Sequence, residues 1–220
     1  MKRSFQILGV LGMACCFSFG LPSFAQNTST KQAEELAQAQ LNLALQAFEQ
    51  GQYRSALPGL IKAVSDDPNN LHLLRIRAET YQYLGLFEEA EADLQVGLKR
   101  EPQNTELLEG LGWLRIFQKR FAEAEKILEQ ALALDPESFW IQLNLGHALL
   151  LQHKDTLAFK RYCGLAHSGD GPMLGDALKK DFSKLTRFEI FHPRYFELIQ
   201  KFESHCGLGL VLPEECLQQH

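Results

Sequence analysis

Cys163 and His167 stand four residues apart, a spacing that sets a thiol and an imidazole on one face of a helix. That pair could seat a metal or activate a thiolate, but a structural metal site takes four ligands and only two are local. A buried Cys beside a surface His is the plainer reading. His205-Cys206 is no stronger, and the acidic pairs Glu88-Glu89 and Glu214-Glu215 read as solvated faces. The chain has no glycine-rich phosphate loop, no His-Glu-x-x-His and no Gly-x-Ser-x-Gly. The expectation is a protein that is not an enzyme and that uses neither metal nor cofactor.

The elements that must position any site repeat on a fixed beat. Pro68, Pro102 and Pro136 are spaced by 34 residues, as are Ala56, Ala90, Ala124 and Ala158. Leu60, Leu94, Leu128 and Tyr162 keep the interval; so do Tyr53, Phe87 and Phe121, and Ala44, Ala78, Gly112 and Gly146. Small residues let two helices approach, and a large apolar residue one turn beyond each Ala fills the space between them. An aromatic opens each second helix. Asp67-Pro68, Glu101-Pro102 and Asp135-Pro136 end it, because the residue before Pro is driven from the α region. Gly51 and Gly85 suit a tight turn at positive φ, where Lys119 and His153 stand in the later copies. Pro58 is expected in the first turn of its helix, where a missing N–H costs nothing.

These columns resemble the tetratricopeptide repeat family. The copies run 37–70, 71–104 and 105–138, with a degenerate fourth at 139–172 that has Asp155 in place of the aromatic and lacks the closing Pro. The resemblance implies an all-α fold, a right-handed superhelical α-solenoid of helix–turn–helix repeats with C-terminal capping helices. Residues 26–36 read as a polar linker and helix start, with a capping box at Ser29-Thr30-Lys31-Gln32. His167 to Gly175 reads as a loop. Asp176 to Phe188 and a segment from Pro193 form the two capping helices within 173–205, and 206–220 is an irregular tail.

Residues 1–25 follow another grammar. Lys2 and Arg3 precede an uncharged apolar run from Ile7 to Phe19, then Pro22 and the small-residue pattern Ser23-Phe24-Ala25. This is the layout of a signal peptide cut after Ala25, which sends the chain to the periplasm or outside the cell. An uncleaved anchor and a lipid-bearing Cys15, which follows Ala14, are the alternatives. Without 1–25 the chain carries 20 basic against 27 acidic side chains. Residues 26–153 hold 11 basic and 18 acidic ones, so neither nucleic acid nor an anionic membrane is an expected partner. In an oxidising compartment Cys206 and Cys216 close a short loop and leave Cys163 free, or Cys163 pairs with either of them.

The family resemblance implies a groove lined by the first helix of each copy that binds an extended or helical segment of a protein or peptide partner. The groove positions read Gln38, Leu41, Leu45 and Phe48, then His72, Arg75, Glu79 and Gln82. They continue with Glu106, Glu109, Trp113 and Ile116, then Trp140, Leu143, His147 and Leu150. The middle is charged and both ends apolar. Trp113, Trp140, Arg75 and His72 are the expected hot spots, against the reading that both Trp pack between helices. Leu41 and Leu45 replace the Lys and Asn with which some family members clamp a C-terminal carboxylate, so that clamp is not expected. The function expected is an exported binding scaffold; a lipid-anchored assembly factor for a pilus or secretion machine is the alternative.

Overall fold

The computed structural model describes residues 23–168 and 171–190. It divides into two units, 1–39 and 40–220. Residues 1–22 of the expected signal segment 1–25, the expected second capping helix and tail, Cys206 and Cys216 lie outside the described residues.

Among the described residues there are nine helices and no strand. They are α1 (Ser23–Glu49), α2 (Tyr53–Asp66), α3 (Leu71–Tyr83), α4 (Phe87–Arg100) and α5 (Thr105–Phe117), followed by α6 (Phe121–Leu134), α7 (Phe139–Leu151), α8 (Asp155–His167) and α9 (Gly171–Arg187). From α3 onward each first helix packs on its own second helix and on the first helix of the next pair. The 34-residue beat is thus a stack of antiparallel helix pairs.

The repeating columns are the core. Ala56, Ala90, Ala124 and Ala158 are fully buried, and Leu60, Leu94, Leu128 and Tyr162 are buried to within 2% of complete. Each of those large side chains contributes about 1.5–3 kcal/mol by leaving water. A Cβ placed on Gly112 would lie 2.5 Å from Leu128 Cγ, and one on Gly146 would run into the ring of Tyr162. Glycine in the first helix is therefore what lets the large residue of the second lie flat against it.

The boundaries repeat as well. Asn70, Asn104 and Ser138 cap α3, α5 and α7, accepting from the backbone N–H of Leu73, Leu107 and Ile141. This column also keeps the 34-residue interval, and each cap is worth about 1 kcal/mol. Asp67, Glu101 and Asp135, each before its Pro, share φ near −130° and ψ near 80° and close α2, α4 and α6. Gly51 (φ 71°) and Gly85 (φ 80°) turn between paired helices. Lys119 (φ 58°) and His153 (φ 60°) make the same turn, so backbone geometry survives the loss of Gly at that column.

Four expectations are corrected. Residues 26–36 are not a linker, and Ser29 does not begin a helix: α1 is continuous from Ser23. The stretch 26–50 holds no Gly or Pro and is rich in Ala, Gln, Leu and Glu, so nothing interrupts the helix. Pro58 is the sixth residue of α2 and not in its first turn, which removes one interior N–H from the ladder. The segment His167–Gly175 is not one loop, since α8 runs to His167 and α9 begins at Gly171. Finally, of the two disulfide readings, the one that left Cys163 free is corrected, since Cys163 is disulfide-bonded.

Candidate binding groove

The first helices α3, α5 and α7 place their exposed faces around a cavity of about 580 Å³. From α3 it takes His72, Arg75, Glu79 and Gln82; from α5, Glu106, Glu109 and Trp113; from α7, Trp140. These eight were expected at the groove from their register. Ile116, Leu143 and Leu150 are instead wholly buried. His147 is buried too, ringed by Trp113, Tyr162 and Phe182 at centroid distances of 5.4–5.8 Å.

Helix α9 explains the difference. Expected only as a cap on the last pair, it packs on α8 and also reaches the first helices α7 and α3 through Asp181 and Lys184. Its Asp181 approaches His147 Nε2 at 3.5 Å, while Tyr162 Oη and His147 Nδ1 are 2.8 Å apart. Lys184 Nζ donates to Tyr83 Oη at 2.7 Å and stands 4.8 Å from the centre of that ring. Just beyond α9, Phe188 stacks edge-on against Phe117 and contacts Phe87. So the apolar end of the predicted groove is covered by the chain itself, and Asp181 and Lys184 become walls of what remains open.

The two Trp side chains sit differently. Trp113 is 6% exposed, set edge-on to Phe117, with its indole N–H donating to Tyr83 Oη at 3.4 Å; only its rim meets the cavity. Trp140 is 52% exposed. Large and half-open among polar neighbours, it is shaped as an anchor for another chain.

Charge in the groove is strongly structured. Arg75 reaches Glu79 at 3.4 Å and Glu106 at 3.3 Å. Asn144 donates to Glu109 across the α5–α7 interface. Burial raises the Glu79 carboxyl; Arg75 and Lys184 pull it down, and Asp181 pushes it up. Glu109 is pushed up to about 8, first by burial and then by the charge of Glu79, with Asp181 adding to the effect against Arg75. Asn144, Tyr83, Asp181 and Lys184 were not foreseen at this site. Asn144 carried a usable signal, lying one position past the groove column at Leu143; the two α9 residues carried none.

The helix pair that holds Cys163 and His167 offers no reactive thiol. Cys163 is in a disulfide, and the nearest partner of His167 Nδ1 is the Cys163 backbone carbonyl at 2.6 Å. Among the described residues no group of three or more His, Cys, Asp or Glu side chains is arranged to hold a metal ion, and no helix is long and apolar enough to cross a membrane.

A stack of helix pairs with an open, polar-walled groove on its first helices defines a helical-repeat scaffold. The tetratricopeptide repeat family model matches residues 47–114 and 116–156, and the chain belongs to that family. It is 29% identical over 126 residues to the tetratricopeptide repeat and J domain-containing co-chaperone DNJ1 of Cryptococcus neoformans, a match covering 54% of this chain and 24% of that one. The chain thus spans about a quarter of that relative's length. Among solved structures it is similar to PilF of Pseudomonas aeruginosa (TM-score 0.59, 21% identity, 84% of this chain and 81% of that one). It is also similar to PilW, a widely conserved type IV pilus biogenesis factor (TM-score 0.57, 23% identity, 79% and 87%). At these identities the two structures share the fold.

Proposed function

We propose that the protein is an exported, non-catalytic scaffold that holds a segment of another protein in the groove of α3, α5 and α7. The observation that carries this reading is the cavity of about 580 Å³ with Trp140 half-exposed on its rim. Hot spots of protein interfaces are enriched in Trp, Tyr and Arg set in such pockets, and all three line this one. Export is supported by the Lys2-Arg3 start, the apolar run to Phe19 and the Ser23-Phe24-Ala25 pattern. The disulfide at Cys163 supports it independently, since disulfides persist in oxidising compartments.

The test is a photo-crosslinker in place of Trp140, combined with Arg75→Glu. Trp140 is the better probe than Trp113, whose loss would open the core. Crosslinking to one protein in the native envelope, lost on Arg75→Glu with the melting transition unchanged, supports the reading. No crosslink at Trp140 would place the binding face elsewhere.

A second reading rests on Cys15 following Ala14: a lipid-tethered assembly factor for a pilus or secretion machine. Metabolic labelling with a fatty-acid analogue separates the two, because an unlabelled chain that begins at Gln26 excludes the tether.

A further inference from the structure

Five carboxylates face the cavity, those of Glu79, Glu106, Glu109, Asp135 and Asp181, against the cations of Arg75 and Lys184. Both cations are ion-paired, Arg75 with Glu79 and Glu106, Lys184 with Asp181 while it donates to Tyr83; the buried Arg75 Nε itself makes no hydrogen bond. Glu109 accepts from the neutral amide of Asn144 while it lies in the field of Glu79 and Asp181. Like charges held together in a partly dehydrated groove repel, and burial with that repulsion keeps Glu109 protonated at neutral pH; a cation entering among them relieves the repulsion and draws the proton off.

A second feature points to a ligand independently of the charges. Gln82 lines the same cavity, is 98% buried, and its amide nitrogen has no hydrogen-bond partner. A buried donor left unmet costs about 1–3 kcal/mol, and a carbonyl oxygen from a bound chain would satisfy it. The half-exposed Trp140 ring at the same cavity adds a surface that attracts a cation. Metal ions do not fit, because no three of these carboxylates are arranged as ligands among the described residues. An acidic peptide tail would bring a further negative charge into an acidic wall.

We propose that this cavity receives a lysine or arginine side chain of the partner segment, its cation set among Glu79, Glu109 and Asp181, with a backbone carbonyl taken by Gln82. The inference rests on the groove reading above and gives that groove a charge preference. Helix α9 is then part of the receptor, since Asp181 belongs to it.

The chain has two Trp residues and both line the cavity, so intrinsic fluorescence reports on it directly. The full mature chain is titrated with blocked alanine-based heptapeptides that differ only in the central residue: Lys, Arg, Gln or Glu. The expected result is saturable binding of the Lys and Arg peptides, at least ~10-fold tighter than Gln, with Glu weakest. Glu109→Gln should weaken the Lys peptide ~10-fold and leave the Gln peptide unmoved; Glu79→Gln serves if the first variant does not fold. Equal binding of all four peptides overturns the charge preference and leaves the groove as a peptide site. If no peptide changes the fluorescence, the inference and the groove reading both fall.

Discussion

Lys184 Nζ donates to Tyr83 Oη at 2.7 Å across 101 residues of sequence, joining the helix after the repeats to the first helix of the second pair. The same ammonium sits 4.8 Å from the Tyr83 ring centre and 3.4 Å from Asp181. One side chain thus makes a charge-assisted hydrogen bond, a cation–π contact and a short-range ion pair. Lys184→Ala should loosen α9 from the stack, lowering stability by roughly 1–2 kcal/mol. Amide exchange is the check: protection within α9 should fall more than protection in α3 or α5. Equal loss throughout would mean that α9 is held by other contacts.

The close approach of α7 and α8 depends on the missing side chain at Gly146. Its Cβ would meet the ring of Tyr162, which is itself wholly buried against His147. Neither ring nor backbone can yield freely, so Gly146→Ala is expected to cost about 1–3 kcal/mol despite the better helix propensity of Ala. Urea unfolding followed by far-ultraviolet circular dichroism reads this. A stabilised variant would contradict the packing.

Lys119 and His153 hold φ near 60° in turns where the earlier copies use Gly. A left-handed residue with a Cβ is strained by about 1–2 kcal/mol, part of which returns as lower chain entropy in the unfolded state. Lys119→Gly should therefore raise stability by roughly 0.5–1 kcal/mol, and Gly85→Ala should lower it. Midpoints of chemical unfolding for the two variants should move in opposite directions.

The Glu109 carboxyl, pushed up to about 8 from its usual 4.5, makes stability depend on pH. Between those values the folded chain holds a proton that the unfolded chain has released, so stability falls as pH rises from about 4.5 to about 8 and then levels. The groups around it are Glu79 and Arg75 on α3, Asn144 on α7 and Asp181 on α9. Glu109→Gln should be nearly neutral at pH 4.5 and stabilising by roughly 4–5 kcal/mol at pH 8.5. Melting temperatures across that range provide the measurement, and parallel curves for the two proteins would refute the assignment.

The repeat architecture was legible because packing itself is periodic. Ala56 and Leu60, and their counterparts 34 residues on, read correctly as the buried seam, since a helix pair that must stack on its own image reuses the same residue types. The groove register from His72 to Trp140 followed from the same period. What the sequence did not disclose is non-repeating. Asp181 and Lys184 lie on a helix with a clear apolar stripe, but a stripe says only that a face is buried, not against what. Nor did composition show that Leu143 and Leu150 would be covered, or that α1 would run on through the short polar run Asn27 to Thr30. Local propensity is a weak guide where neither Gly nor Pro interrupts the chain.

Helix α9 also bears on where this molecule can be cut. The family match ends at residue 156, at the start of α8, and a fragment cut after that helix would still contain every helix pair. It would lack Asp181 and Lys184, and it would bare Tyr83, Phe117 and His147, which α9 and Phe188 now shield. Such a fragment would carry a sticky aromatic strip in place of the acidic recess, and binding measured on it would describe an indiscriminate surface that the whole chain does not possess.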